Sequence, residues 1–247
     1  MDKAIILDAG EGKRLRPLTK STPKCLLKLN EMTILEHQLS NLSKCGIKEV
    51  VLVVGYLANR ILRRLEKNNF NLKLRFIRNP IYYKTNTVYS LWLARNELEE
   101  DIVYLNGDVV FHRNVLLRLL NSEQDTCLAV KRGNVGEEEV KVKVESGVVK
   151  AIGKEIPPKS SYGEFIGIAK FSKKFNVLLI EKLSEVVMEG RINAFFESAV
   201  ERTLESYAVY AIDVSDLPCT EVDTLGDLNL AKKIYSLIMF GEGGRNG

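Results

Sequence analysis

The order of apolar segments predicts an α/β protein built on a largely parallel sheet. Short runs of branched apolar residues alternate with segments of helical period, the pattern of successive strand–helix–strand units. A glycine turn, Asp8–Gly12, follows directly on the first such run. The 247 residues suit one large α/β domain, or a main domain with an appendage, better than two full domains.

Taken in order, Ala4–Leu7 reads as a short buried strand leading into the glycine loop. Thr33-Ile-Leu-Glu36 is a capping box that opens a helix running to Cys45, with Gly46 placed to end it. Glu49–Val54 is the next strand, Ala58–Asn68 the next helix, and Leu72–Arg78 alternates like a strand. Thr87–Leu98 is helical, because Val88, Leu91, Trp92 and Leu98 share a face. Ile102–Asn106 is another buried strand, ending at Gly107-Asp108. Val140–Val144 and Val148–Ile152 form a hairpin around Ser146-Gly147 by strict alternation. Phe165–Phe171 follows as a strand, then helices over Lys173–Met188 and Ala194–Leu204, a strand at Ala208–Ile212 and a last helix over Leu225–Phe240.

Composition narrows the chemistry. The chain is 45% hydrophobic and 28% charged, ordinary for a globular enzyme. No run approaches 18 apolar residues and no signal-peptide pattern opens the chain, so a cytoplasmic protein without a membrane span is expected. Cys25, Cys45, Cys127 and Cys219 are widely spaced, and His37 and His112 are the only histidines. Free thiols follow, rather than a zinc site or a histidine-dependent nucleophile. Seven of the 36 basic residues but only three of the 32 acidic ones fall in the first 30 positions, which locates there the whole net charge of +4. A local anion site explains this better than nucleic-acid binding, which spreads basic residues over a face or an arm.

The densest motif is Leu7-Asp-Ala-Gly-Glu-Gly-Lys-Arg-Leu-Arg-Pro-Leu-Thr19, followed by Thr22-Pro-Lys-Cys-Leu26. Glycines after a buried strand let backbone N–H groups approach a phosphate, and Lys13, Arg14 and Arg16 supply charge just beyond. The spacing is neither that of a P-loop nor that of the dinucleotide fingerprint, where Leu15 replaces the third glycine. Gly10 and Gly12 alone would equally describe a surface turn; the register of Arg14, Pro17, Thr19, Pro23 and Lys24 argues for a nucleotide loop.

From Leu7 to Lys24 the chain resembles the sugar-nucleotide pyrophosphorylases and related nucleotidyltransferases, whose opening runs approximately L-A-A-G-x-G-x-R-L-x-P-L-T and then P-K. The looser similarity extends to about residue 235. It implies a Rossmann-like three-layer sandwich of the glycosyltransferase-A kind, with a mostly parallel mixed central sheet and a small hairpin and helical subregion for the acceptor. Leu7, Ala9, Gly10, Gly12, Lys13 and Gly107 would then face the nucleotide, Arg14 the departing phosphates and Lys24 the reacting ones. One departure stands out: Asp8 replaces the family's alanine. Asn106-Gly107-Asp108 ends a central strand, where open α/β sheets place ligands, and Glu221-Val-Asp223-Thr-Leu-Gly-Asp227-Leu matches the family's x-D-T-x-x-D-L. The resemblance makes Asp108 and Asp223 a Mg²⁺ pair and leaves Asp227 as a first-turn helix charge.

Asn86-Thr-Val-Tyr-Ser90-Leu resembles the N-x-x-Y-S-L segment of the cytidylyltransferase branch, which acts on phosphocholine, phosphonate or inositol phosphate. Asn86 and Ser90 suit a pyrimidine edge; Leu91, Trp92 and Leu93 are packing. On the acceptor side, Lys154 and Gly163-Glu-Phe-Ile-Gly167 resemble the family's segment that receives the alcohol phosphate, which implies that Lys154 neutralises the attacking phosphate and Glu164 meets a hydroxyl or an ammonium; Glu197 is a further candidate to contact a quaternary ammonium group. Tyr83, Tyr162, Phe195 and Phe196 are candidate walls of a cation–π cage, although most aromatics are core.

The expected organisation is one domain over residues 1–240, with a nucleotide half (1–130), an acceptor half with the C-terminal helix (131–240), and a flexible tail over 241–247. The expected partners are a nucleoside triphosphate and a small phosphorylated alcohol. Ile234, Leu237, Ile238 and Phe240 serve equally as core or as an interface between copies of the chain. Three functions stay open: transfer of CMP from CTP to an alcohol phosphate or phosphonate, uridylyl or thymidylyl transfer to a hexose 1-phosphate, and a nucleotide-binding regulator weakened by Asp8.

Overall fold

The computed structural model of the chain describes residues 1–66 and 70–243. The chain runs β1 (Lys3–Asp8), α1 (Ile34–Lys44), β2 (Glu49–Val54), α2 (Ala58–Leu65), β3 (Lys73–Arg78), α3 (Thr87–Leu93), β4 (Ile102–Asn106), β5 (Val109–Phe111), α4 (Arg113–Leu120) and β6 (Cys127–Arg132). It continues through β7 (Lys141–Glu145), β8 (Val148–Gly153), β9 (Gly163–Phe171), α5 (Lys173–Met188), α6 (Glu197–Glu201), β10 (Tyr210–Asp213), β11 (Cys219–Glu221) and α7 (Leu225–Gly243).

Nine strands make one mixed sheet in the order β3-β2-β1-β4-β9-β6-β10-β8-β7, and β5 pairs with β11 in a separate antiparallel ribbon. The first four strands are parallel, β9 runs against both its neighbours, and β6 and β10 are parallel to each other. A further pairing of β7 with the start of β9 closes β9, β6, β10, β8 and β7 into a ring. Both faces of the central strands are covered, which is why their sequences are continuously apolar rather than alternating. Successive residues face opposite ways: Ala4 and Ile6 meet α1, α2 and α4 through Leu35, Ile61 and Leu116. Ile5 and Leu7 meet α3, α5 and α6 through Leu91, Leu179 and Val200. Each such buried aliphatic side chain contributes about 1.5–3 kcal/mol.

Two helices are shorter than their periodicity predicts. The helix expected over Thr87–Leu98 stops at Leu93 and tightens into a 3-10 turn, Arg95–Glu97, where the Arg95 guanidinium donates back to the Trp92 carbonyl (3.0 Å) and lies on its ring. The helix expected over Ala194–Leu204 spans only Glu197–Glu201, and its start is delayed because the preceding backbone is engaged elsewhere. The Ile192 and Ala194 carbonyls accept from the Asn86 and Val88 amides, and the Phe196 amide donates to Thr87 Oγ1 (2.8 Å). That exchange docks the start of α3 onto the loop before α6. Periodicity did not mark β5, α4, β6 or β11. The last helix continues three residues into the expected tail; residues 244–247, and Asn68 at the expected end of the second helix, lie outside the described residues. On α7, Ile234 and Ile238 are buried against Leu15, Ile34 and Val222, while Leu237 and Phe240 are exposed. No helix among the described residues is long and apolar enough to cross a membrane.

The capping box forms as its sequence implies: Thr33 Oγ1 accepts from the Glu36 amide, and Glu36 Oε2 accepts from the Thr33 amide (2.8 Å). Thr33→Ala should lower stability by about 1 kcal/mol and the melting temperature by roughly 2–4 °C. Thermal unfolding checks this, with turnover expected to be unchanged.

Candidate active site

A cleft of about 800 Å³ opens beyond the carboxyl ends of β1 and β4, walled by the glycine loop, the start of α3, the β4–β5 turn, the loop before α6 and the β11–α7 junction. Leu7, Ala9, Gly10, Gly12, Lys13, Arg14, Lys24, Asn86, Ser90, Gly107, Asp108, Lys154, Glu164, Phe195, Glu197, Tyr83 and Asp223 all line it. These residues come from eight separate stretches of chain, so the fold assembles what the sequence scatters.

Gly12 takes φ +60°, and a Cβ there would stand 3.1 Å from Thr19 Cγ2 and 3.2 Å from Lys24 Cβ. Its carbonyl accepts from Thr19 Oγ1 (2.8 Å) and the Leu15 amide, which curls the loop over Lys24. Lys24 Nζ lies 2.6 Å from both Asp108 Oδ2 and Asp223 Oδ1, and Arg14 reaches Asp223 Oδ2 at 2.8 Å. Burial alone would raise the Asp223 carboxyl; the cations Lys24 and Arg14 hold it below its ordinary range. Lys24, between two carboxylates, binds its proton more tightly than a solvated lysine despite its burial.

Asp108 is held by a residue that no motif singled out. Gln38, fully buried on α1, donates to the Asn106 carbonyl (2.8 Å) and the Val109 carbonyl (2.9 Å), clamping the turn from both sides. The Val222 amide donates to the Asp108 carbonyl, which brings Asp223 alongside. Asn79 is a second such residue: it is buried, and its amide donates to Ser90 Oγ and Thr85 Oγ1 behind the start of α3. A polar residue within an apolar helical stripe was the available signal for Gln38.

Asp8 does not project into the glycine loop as a free charge. It is buried, and its Oδ1 lies where a Cβ on Gly107 would be, so only glycine fits at 107. Its Oδ2 has no hydrogen-bond partner. Burial pushes its carboxyl up to about 8; a hydrogen bond with the Cys25 thiol and the charge of Lys24 oppose this, and Asp108 adds to it.

At the far end of the cleft the structure gathers carboxylates. Glu221, at the end of β11, is two residues from Asp223. Its Oε1 accepts from Asn106 Nδ2 (3.0 Å), whose own Oδ1 accepts from the Tyr104 hydroxyl (2.7 Å). Burial raises Glu221, with Asp108 adding to it. Burial also brings Glu164 up to about 7, reinforced by Glu139, and Glu197 to about 7, opposed by Lys154. Lys141, fully buried, donates to the carbonyls of Gly136, Glu137 and Glu139 and so fixes the loop that carries Glu138 and Glu139 to the cleft wall.

Two of the four expected cage aromatics are elsewhere. Phe196 is fully buried, its ring 4.3 Å from that of Tyr104, because the helical turn sends Phe195 and Phe196 in different directions. Tyr162, just before β9, lies outside the cleft beneath the Arg132 guanidinium (4.9 Å).

The carboxylate pair suits a divalent cation. Asp108 and Asp223 converge on one point, and Asp108 Oδ1 is buried with no partner. No group of three histidine, cysteine or carboxylate ligands converges among the described residues. That matches an ion that keeps one or two protein carboxylates and takes its other ligands from water and phosphate.

The Asp8 carboxyl has a consequence for stability. Its folded-state value lies above the ordinary 3.8, so the folded chain keeps a proton that the unfolded chain has lost. The Asp8 contribution to stability therefore falls as pH rises from about 4 to 8, by an amount on the order of several kcal/mol. Asp8→Ala should flatten this decline between pH 5 and 8.5. Melting temperatures of the two proteins across that range check it, and parallel profiles would exclude the assignment.

The profile of the family described as nucleotidyl transferase matches residues 3–209. The chain is 28% identical over 254 aligned positions to the CTP:phosphoglutamine cytidylyltransferase of Campylobacter jejuni, covering 92% of this chain and 98% of that protein. It is 26% identical to the choline-phosphate cytidylyltransferase of Streptococcus pneumoniae, over 94% and 97% of the two chains. The solved inositol-1-phosphate CTP transferase of T. maritima superposes with a TM-score of 0.77 at 25% identity, covering 95% of this chain and 96% of that one. With the glycine loop, the paired aspartates and the family match in one cleft, the chain belongs to the nucleotidyl transferase family.

Proposed function

We propose that the chain transfers CMP from CTP to a small alcohol phosphate or phosphonate and releases pyrophosphate. The observation that carries this reading is the convergence of Arg14, Lys24, Asp108 and Asp223 beneath an open glycine loop, with Asn86 and Ser90 on the same cleft wall. The two sequence relatives described above, aligned along 98% and 97% of their length, are cytidylyltransferases by name, which supports CTP over the nucleotides of the hexose 1-phosphate enzymes.

An anionic oxygen of the acceptor attacks the α-phosphorus of CTP. A new P–O bond forms, the bond from the α-phosphorus to the bridging oxygen breaks, and its electron pair leaves with pyrophosphate. The attacking oxygen is already anionic, so no general base is needed. The barrier is the approach of two anions, and the chain lowers it by position and charge. The loop amides and Arg14 hold the departing phosphates. Lys24, released from the carboxylates, turns to the reacting phosphates, and Lys154 screens the acceptor. Asp108 and Asp223 would hold Mg²⁺, which supplies further positive charge to the triphosphate. Asp8 is buried against Gly107 and holds its proton near neutral pH, which favours catalysis over the regulatory reading.

A pyrophosphate-release screen of four nucleoside triphosphates against a panel of phosphomonoesters tests the reading. CTP should lead by at least about tenfold, and Asp108→Ala should reduce its turnover on the order of a hundredfold. Preferred use of UTP or dTTP with a hexose 1-phosphate would contradict it.

A further inference from the structure

A second hollow, of about 640 Å³, lies beside the cleft at the carboxyl ends of β2 and β3. Those strands run parallel to β1 and β4, so it opens at the edge of the sheet where open α/β folds hold their ligands. The hollow and the cleft have two lining residues in common, Asn79 and Tyr82, which form the wall between them. The volume suits a small molecule.

No carboxylate lines this hollow. Arg60 and Arg63 reach it from α2, and Arg78 from the last position of β3. Among the described residues, no carboxylate oxygen lies within 4 Å of the guanidinium nitrogens of these three. Their neighbours are paired: Arg64 meets Glu36 at 2.6 Å, and Arg75, on the same strand as Arg78, bridges Glu49 and Glu97. Like charges three residues apart on a helix repel each other, and Arg78 across the hollow adds to that repulsion. A bound anion removes it. The planar fork of arginine matches phosphate oxygens two at a time, and Leu57, Pro80 and Tyr82 give the rest of a ligand an apolar side.

The same wall supports the glycine loop. A Cβ on Gly55 would lie 2.7 Å from both the Ala9 carbonyl oxygen and Tyr82 Cβ, so only glycine fits there. The Tyr56 amide donates to the Ala9 carbonyl (3.0 Å), and its hydroxyl donates to the Thr19 and Lys20 carbonyls (2.9 Å each). The β2–α2 connection therefore holds the glycine loop at its start and beyond its end. A ligand that joins Arg60 and Arg63 to Arg78 ties α2 to β3 and fixes that connection.

We infer that this hollow is a second site, for a small molecule carrying two phosphate groups, and that its occupancy strengthens nucleotide binding in the cleft. Calorimetric titrations at about 0.15 M salt, which screens diffuse attraction to surface charge, test this. The probes are 2,3-bisphosphoglycerate, ADP and inorganic phosphate. At least one of the doubly phosphorylated probes should bind about tenfold or more tightly than inorganic phosphate, and the tighter one distinguishes a phosphorylated metabolite from a nucleotide as the source. Arg60→Gln with Arg63→Gln should weaken that binding by at least about tenfold, whereas Arg14→Ala, in the cleft, should leave it within about twofold. The bound probe should tighten CTP by at least about fivefold in the wild type and not in the double variant. Binding lost in Arg14→Ala but kept in the double variant overturns the inference, as does equal affinity for the three probes or an unchanged affinity for CTP. If CTP itself does not bind, the proposed function fails, while the probe titrations still decide the site.

Discussion

One ammonium group organises the cleft. Lys24 sits 2.6 Å from two carboxylates that belong to distant parts of the chain, so a single cation ties the loop after β1 to the β4–β5 turn and to the start of α7. Without it, Asp108 and Asp223 would repel each other in a site partly closed to water. Arg14 completes the balance, giving two cations for two carboxylates. The arrangement also makes the site ready for exchange. On the proposed function, a phosphate chain would draw Lys24 and Arg14 away, and other positive charge would have to take their place between the aspartates, which would link nucleotide binding to the arrival of a divalent ion.

The surrounding polar clamps serve this group. Gln38 fixes the carbonyls on either side of Asp108, Asn79 backs Ser90, and Lys141 holds the Glu138 and Glu139 loop by three backbone carbonyls. None touches the open cleft through a charge of its own, yet each fixes a segment that does. Hydrogen bonds of this kind are worth about 1–3 kcal/mol each when one partner is charged or buried. Their larger effect is to limit the geometry the charged groups of the cleft can adopt. The two halves of the cleft are joined in the same manner, because the start of α3 and the loop before α6 share backbone and Thr87 hydrogen bonds.

Much of this was legible in the sequence where one physical signal dominated. β2, β4 and α5 begin and end at the residues their apolar patterns indicate, since nothing in the tertiary structure competes with those patterns. β5 and β11 escaped because three-residue strands carry too little alternation to read. α6 begins later than its period indicates because the residues before it are committed to α3. Phe195 and Phe196 are equivalent as sequence; the turn they occupy sends one to the cleft and the other to the core. Asp8 reads in sequence as a charge in a phosphate loop, and only its packing against Gly107 reveals a buried carboxyl whose proton is retained. Glu221 and Gln38 show the converse, residues that the sequence reading did not single out and whose importance follows from what the fold sets beside them.

The balance between Lys24 and its two carboxylates is the claim on which the account rests, and chemical unfolding at neutral pH without divalent ions tests it most directly. Lys24→Met leaves Asp108 uncompensated and Asp223 with Arg14 alone, and should cost about 2–3 kcal/mol, less than a fully buried pair would, because the Asp223 side chain is 33% exposed. The triple variant that adds Asp108→Asn and Asp223→Asn should recover most of that loss, since the groups left unpaired are then neutral. A Lys24→Met protein as stable as the wild type, or a triple variant weaker than the single one, would contradict the account.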